Sequence, residues 1–538
     1  MIHDFGDAGA GFAPQAQTWD LCIIGAGAAG LALAAQFMQG PGRVLVVESG
    51  RHEPDAYDEG LNELECVGLR HDGWREGRVR SLGGTTRAWG GQLVPLRASE
   101  VESRPWVADS GWPLQLAELE PYYRRVEELL QIEGAPYDET VWGRLSLTPP
   151  AFDPQELYVR FSQWAALGRR NFAVLWRREL QRSSNVTVLL DATAVRIGCT
   201  PGGGHCEALE IRARSGRTAS IRANTFVIAS GAIETARLLL ASRTPGGVSV
   251  ANSSGQVGRF FQDHISWFAG EVEPTSRRLL QHVFDPRYIG ATMYSVKLEP
   301  TDALMQREGW LNAMGHIGFQ IPDALGWMEL RRILRSLQTG RIQLPSRDES
   351  IAMLRGSVEL TRLVLTRYLA RRRRSPDAGS IRLLVDCEQA PCSESRVLLE
   401  DSRVDAMGVA RARLDWRIGE QEHRTLTGFA ALLAKEFARL GLGKVRLAAA
   451  ADFELRETPG AARDIFHHMG TARMSANSRT GVTRADLRCH DVDNLFVAGA
   501  AVFPAGGIAN PTFTALALSL RLADHLKATG VSHLRHAG

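Results

Sequence analysis

The sequence predicts an α/β protein, α+β overall, in which a helix-wound parallel sheet is joined to a second lobe on a mixed sheet. Three observations carry this. A strand, a glycine turn, a helix and a second strand follow one another over residues 19–50. Strand–turn–helix units recur at 224–242 and 494–526. Between them, 380–400 alternates as strands do. At 538 residues the chain is too long for one ordinary core, so two or three lobes are expected.

Residues 19–50 form a βαβ unit when read in order. Leu21 to Ile24 is a short apolar strand, and Gly25, Gly27 and Gly30 make G-x-G-x-x-G. An Ala/Leu-rich helix opens through Ala28 and Ala29 and stops at the Gly-Pro-Gly of 40–42. Val44 to Val47 is the next strand, ending at Glu48 and Ser49. The first glycine permits the tight turn, the second lets backbone approach a pyrophosphate, and the third lets helix pack on strand. The helix N-terminus offers free N–H groups to phosphates, and Glu48 can accept from ribose hydroxyls. These parts predict a Rossmann-like dinucleotide site, without separating FAD from NAD.

Three later stretches extend it. The glycine-dense 80–96 holds Gly83, Gly84, Thr85, Thr86, Trp89, Gly90 and Gly91, and lets backbone lie against a flat or phosphorylated ligand. An apolar strand, a Ser230-Gly231 turn and an apolar helix fill 224–242. A strand over 495–498 meets Gly499 and Ala500, and Asn510-Pro511-Thr512 opens a helix that is apolar on most faces and hence buried. Its positive end suits the negative charge of a reduced flavin near N1 and the C2 carbonyl.

Composition narrows the partners. Hydrophobic residues make 44% and charged residues 23%, and the net charge of +3 argues against nucleic acid. Seven cysteines, with no C-x-x-C pair, read as reduced thiols in a cytoplasm, with no zinc or other metal site. The first residues lack a basic start and an apolar run, so no signal peptide is expected, and no stretch suits a membrane span.

With these pieces together the chain resembles the glucose-methanol-choline (GMC) oxidoreductases. The stretches that carry the resemblance are GAGAAG…VVESG, GGTTRAWGG, GWPLQLAELEPYYRRVEELL at 111–130, GQVGRFFQDH at 255–264, SRVLLEDSRVDAMG at 395–408, HHMGTARM at 467–474 and NLFVAGAAVFPAGGIANPTF from 494. They are more similar to the bacterial sugar-dehydrogenase and pyranose-oxidase branch than to glucose oxidase. The resemblance implies a non-contiguous FAD-binding domain over 1–105, 180–270 and 456–538, with Val195 also at the cofactor, and a substrate domain over 106–179 and 271–455. It implies oxidation of a CH–OH group of a sugar, polyol or related molecule by hydride transfer to flavin N5. The electron acceptor would be O2, a quinone or a redox protein. A tailoring enzyme for a bulky metabolite, or a flavin-binding subunit without turnover, are the alternatives.

The family's H-x-x-G-T pattern falls on His467, Gly470 and Thr471, so His467 is the expected base, and Asn510 matches the second active-site position. His468, on the other side of the backbone, is assigned to packing or loop hydrogen bonding. Asn510 also sits where a side chain caps the following helix, and one amide does not readily do both. Relatives that attach FAD covalently use a histidine beside the loop tryptophan; here Ala88 precedes Trp89, so FAD is expected without a covalent link. The segment 326–374 has twelve Arg and no Lys, and reads either as solvated helices or as a basic face for a membrane or redox partner. His264 and His316 fall where they could be near the pocket, but a lone histidine is more often structural, and neither is placed in the site.

Overall fold

The computed structural model describes residues 1–7, 12–134, 136–320 and 379–529, with scattered positions between 346 and 377. The Arg-rich 326–374 segment lies largely outside the described residues.

The first sheet follows from apolar runs too short and too continuous to be amphipathic helices. Its strands lie in the order Ile2–Asp4, Val186–Leu190, Val44–Val47, Thr18–Ile24, Thr218–Ile228, Cys206–Arg212 and Thr193–Cys199, and Leu495–Val497 adds to the Thr218–Ile228 strand. The first five and the added strand pair in parallel. Val44 to Val47 are all buried, as expected where helices cover both faces. The Cys206–Arg212 and Thr193–Cys199 strands are antiparallel, and bring the Cys199 and Cys206 thiols to 3.3 Å.

The strand–turn–helix unit closes tightly. Gly25 sits at φ +109°, and a Cβ on Gly30 would lie 1.9 Å from the Gly25 carbonyl oxygen. That contact lets the Ala28–Ala35 helix start directly above the sheet. The Pro511–Ala528 helix packs on it and on Leu116–Leu130, where Tyr123 Oη and Thr514 Oγ1 are 2.8 Å apart.

The second sheet runs Gly443–Leu447, Ile265–Pro274, Ile381–Cys387, Ala313–Phe319, Thr292–Pro300, Leu157–Trp164 and Gln92–Leu93, with Arg287–Ile289 and Ala462–Asp464 as additions. Its pairings are antiparallel, and one face packs on the Glu420–Arg439 helix: a Cβ on Gly315 would lie 2.4 Å from Leu433 Cδ1. A third, small sheet joins Arg396–Val404, Ala410–Asp415 and Leu64–Cys66.

The lobes interlock more than the sequence-based boundaries imply. Residues 92–93 and 265–270, assigned above to the first lobe, run as strands of the second sheet. The Leu116–Leu130 helix, assigned to the second lobe, packs on the Pro511–Ala528 helix of the first. The chain crosses between lobes at strand and helix ends, which local sequence does not mark.

Gly30→Ala is expected to destabilise the protein by about 1–3 kcal/mol through overpacking against Gly25. A lower thermal unfolding midpoint, read by circular dichroism, checks this.

Candidate active site

A cleft opens at the ends of the parallel strands. Gly25, Gly27, Ala28, Ala29, Glu48, Ser49, Gly84, Thr85, Ser230, Gly231, Gly499, Ala500, Pro511 and Thr512 line it, and His467 and His468 lie at the same cleft. Gly30, Gly83, Thr86, Trp89, Gly90, Val195 and Asn510 do not line it. Gly30 is occupied with Gly25. Thr86 Oγ1 donates to the Gly83 carbonyl and accepts from Phe172 N at 3.1 Å. The Trp89 indole N–H donates to the Arg170 carbonyl, 2.7 Å, and its ring packs edge-on against Phe172. Gly90 lies against the Trp164 ring. On the 193–199 strand, Thr193 and Ala194 line the cleft rather than Val195.

Glu48 is buried at its strand end, and its carboxylate accepts from Ala26 N at 2.8 Å and Gly50 N at 2.9 Å. Burial raises its pKa, and the two N–H groups and Arg80 oppose that. Arg78, Arg80, Glu234 and Arg237, which the sequence reading did not single out, also line the cleft. Glu234 is 2.9 Å from Arg78 and 2.8 Å from Arg80. Burial alone would raise its carboxyl pKa, but Arg80, Arg237 and Arg78 hold it far below the usual range.

His467 is set by a turn with no slack. Phe466, Gly470 and Thr471 all have positive φ, at 69°, 72° and 75°. A Cβ on Gly470 would lie 1.9 Å from the Phe260 carbonyl oxygen, so a larger residue is excluded. Thr471 Oγ1 donates to the Ala232 carbonyl at 2.8 Å. The His467 backbone N–H donates to Asp263 Oδ1, also 2.8 Å.

Three side chains then line up. His264 Nε2 is 2.8 Å from the Gly507 carbonyl oxygen, which only accepts, so Nε2 carries hydrogen. In the neutral pair His264 Nδ1 is therefore an acceptor, and it lies 2.8 Å from His467 Nδ1. That puts the His467 hydrogen on Nδ1 and leaves a lone pair on Nε2, 3.2 Å from Asn510 Nδ2. Burial lowers the His467 pKa to about 4; His264 adds to this, while Asp263 and Asp386 oppose it. At neutral pH the imidazole is an uncharged base with its lone pair aimed at Asn510.

His264, read from sequence as structural, is thus a direct partner of His467. The signal was present: Gln262-Asp263-His264 is a polar run between Phe-Phe and an apolar strand. Asn510 is the N-cap residue of its helix, yet its side chain makes no capping hydrogen bond. The two roles weighed for it separate in favour of contact with His467.

His468 turns the other way and packs on His71 and Phe261, ring centroids 5.2 and 5.8 Å away. Its Nε2 has no hydrogen-bond partner among the described residues, so packing rather than loop hydrogen bonding describes it. His71 Nδ1 accepts from Trp74 N, so His71 Nε2 carries the hydrogen it gives to Asp263 Oδ2 at 3.1 Å. Burial would raise the Asp263 pKa, but the His71 hydrogen bond and the surrounding imidazoles hold it at about 2.

The cleft fits a dinucleotide. A Cβ on Gly27 would meet no atom within 4 Å, so the backbone there faces open space. The Ala28–Ala35 helix starts without a side-chain cap and leaves its first N–H groups for phosphates. A βαβ cleft open to phosphates, with a neutral His on its wall that meets an amide behind it, fits a dinucleotide-dependent oxidoreductase.

Comparison with known proteins makes the assignment specific. Residues 391–519 match the family model described as GMC oxidoreductase. Over 97% of this chain and 93% of the relative, 26% of residues are identical to paromamine 6'-oxidase of Streptomyces fradiae. The 2-methyl-1,2-propanediol dehydrogenase of Mycolicibacterium austroafricanum is 24% identical over 95% and 96% of the two chains. The crystal structure of pyridoxine 4-oxidase from Mesorbium loti shares the fold, with a TM-score of 0.55, 18% identity and 95% and 99% coverage. Residues 391–519 are thus similar to the GMC oxidoreductases, the chain along nearly its whole length is similar to oxidases and dehydrogenases of small hydroxylated molecules, and the cofactor these matches support is FAD.

Asn510→Ala is expected to leave the thermal midpoint of the holoenzyme unchanged, whereas loss of a true cap would cost ~1 kcal/mol. Calorimetry of the two proteins side by side decides it.

Proposed function

We propose that the enzyme oxidises a secondary or primary alcohol of a sugar, polyol or related hydroxylated molecule to the carbonyl, with His467 as base. The observation that carries this is the His264–His467–Asn510 alignment, which leaves one unprotonated nitrogen beside one amide donor. A substrate hydroxyl placed between them gives its proton to His467 Nε2 and accepts from Asn510 Nδ2. His467 then becomes an imidazolium whose Nδ1–H still donates to His264 Nδ1. Asp263, charged and nearby, offsets the new charge without touching the substrate. Bound FAD supplies the hydride acceptor, its N5.

The relatives named for paromamine and for 2-methyl-1,2-propanediol support a hydroxylated small molecule, and both oxidase and dehydrogenase occur among their names. We assign FAD as non-covalently held: Ala88, beside Trp89, offers no attachment atom. Among the described residues no helix is long and apolar enough to cross a membrane. The seven free cysteines favour a reducing cytoplasm.

Anaerobic mixing with candidate alcohols should bleach the flavin, and repeating it in air separates an oxidase from a dehydrogenase. His467→Ala should slow bleaching ~10² to 10⁴-fold with flavin retained; an undiminished rate would refute the base assignment. The base works only when neutral, and its pKa lies below the ordinary value. Reduction should therefore persist below pH 6 and fall as pH drops through about 4. Acid precipitation should leave the yellow colour in the supernatant.

A further inference from the structure

One face of the second sheet packs on the Glu420–Arg439 helix through Gly315 and its neighbours. The opposite face carries charged side chains that the proton transfer does not use. The Ile381–Cys387 strand alternates between buried and half-buried residues, so Leu384 and Asp386 turn to this second face. His316 is in register with Leu384, and Leu298 with Gly315, which sets Lys297 beside His316. Asp386 is in register with Ser266, two residues on from His264. The row therefore begins at the histidine that touches His467 and runs outward across neighbouring strands.

Part of this face is held by ion pairs and a backbone hydrogen bond. Arg160 lies 3.4 Å from Glu299 and 3.7 Å from Glu100, Arg97 lies 3.4 Å from Glu299, and Glu100 Oε1 accepts from Ile508 N at 2.6 Å. These ion pairs hold the loop that leads to Asn510. Lys297 differs. It is 7% exposed, and its ammonium makes no hydrogen bond or ion pair among the described residues. Asp386 Oδ1 and His316 Nδ1 are buried without hydrogen-bond partners, and His316 Nδ1 is 3.5 Å from Asp386 Oδ2. Buried polar groups are normally hydrogen-bonded, so unused donors and acceptors beside a catalytic centre point to a ligand. The register from Asp386 to Ser266 brings the set toward His264, which lies 2.8 Å from His467.

We propose that Lys297, His316 and Asp386 recognise hydroxyl groups adjacent to the one oxidised, so that the substrate is a neutral polyhydroxylated molecule rather than a monohydric alcohol. This rests on the alcohol-oxidation reading above. A carboxylate accepts from hydroxyl hydrogens and an ammonium donates to hydroxyl oxygens, so one of each suits groups that both give and take. The opposed charges disfavour a carboxylate or phosphate substrate, and an aliphatic alcohol would leave their unused donors and acceptors without hydrogen bonds.

The test is anaerobic flavin reduction in the holoenzyme and in Lys297→Met and Asp386→Asn, with glucose, glycerol and 2-propanol as probes. The quantity read is the ratio of kcat/KM for the best polyol to that for 2-propanol. Each substitution should lower this ratio about ten- to a hundredfold, chiefly through KM, as loss of a charged hydrogen bond does. Flavin occupancy from the visible spectrum reports folding; should Lys297→Met lose flavin, Asp386→Asn, which keeps the shape, carries the test. An unchanged ratio in the folded variants overturns the proposal. A wild-type flavin that no alcohol reduces overturns the alcohol-oxidation reading itself.

Discussion

The site depends on three consecutive buried side chains, Gln262, Asp263 and His264. Gln262 is bonded both ways to Met469 through backbone, and its amide accepts from Gly506 N and donates to the Pro504 carbonyl. Asp263 takes the backbone N–H of His467, and His264 takes its ring and the Gly507 carbonyl. One short segment at the mouth of a strand thus ties the loop that carries His467 to the loop that leads to Asn510. Each of these groups is out of water, where an unmade hydrogen bond costs about 1–3 kcal/mol. The loops are held because releasing either one would strand buried donors and acceptors.

The same arrangement sets the electrostatics. A neutral imidazole at pH 7 needs a depressed pKa, and the enclosure of His467 supplies it, with His264 alongside. An imidazolium, formed transiently, needs a nearby negative charge, and Asp263 supplies that. Asp263 stays ionised because His71 donates to it from behind. The base is thus weak enough to be free at rest and supported enough to hold a proton briefly. His468 belongs to the supporting side of this arrangement.

The cleft is built by contrast from backbone. Close approach of Gly30 to Gly25, open space above Gly27 and uncapped helix starts leave N–H groups for the cofactor. Arg78, Arg80 and Glu234 add a charged wall in which the ions largely satisfy one another. The Ile265–Pro274 strand of the second sheet begins directly after His264, in the segment that holds the base.

Much of this was legible in the residues themselves. The apolar runs of 21–24 and 44–47, the glycine spacing between them and the Asn-Pro-Thr helix start are local patterns, and local sterics and hydrogen bonding decide their structure wherever they sit. The H-x-x-G-T pattern on residue 467 came from the family resemblance, and the tight turn at Gly470 gives its physical reason. What only tertiary packing decided is who meets whom. His264 and His467 are 203 residues apart, and Asn510 lies 43 beyond His467, so no periodicity links them. The ring tautomer, the freedom of the Asn510 amide from capping and the unused hydrogen-bonding groups on the second sheet all depend on atoms brought together from distant strands. A sequence records which groups are available; burial and contact, which exist only in the folded chain, decide which are paired and which remain free to react.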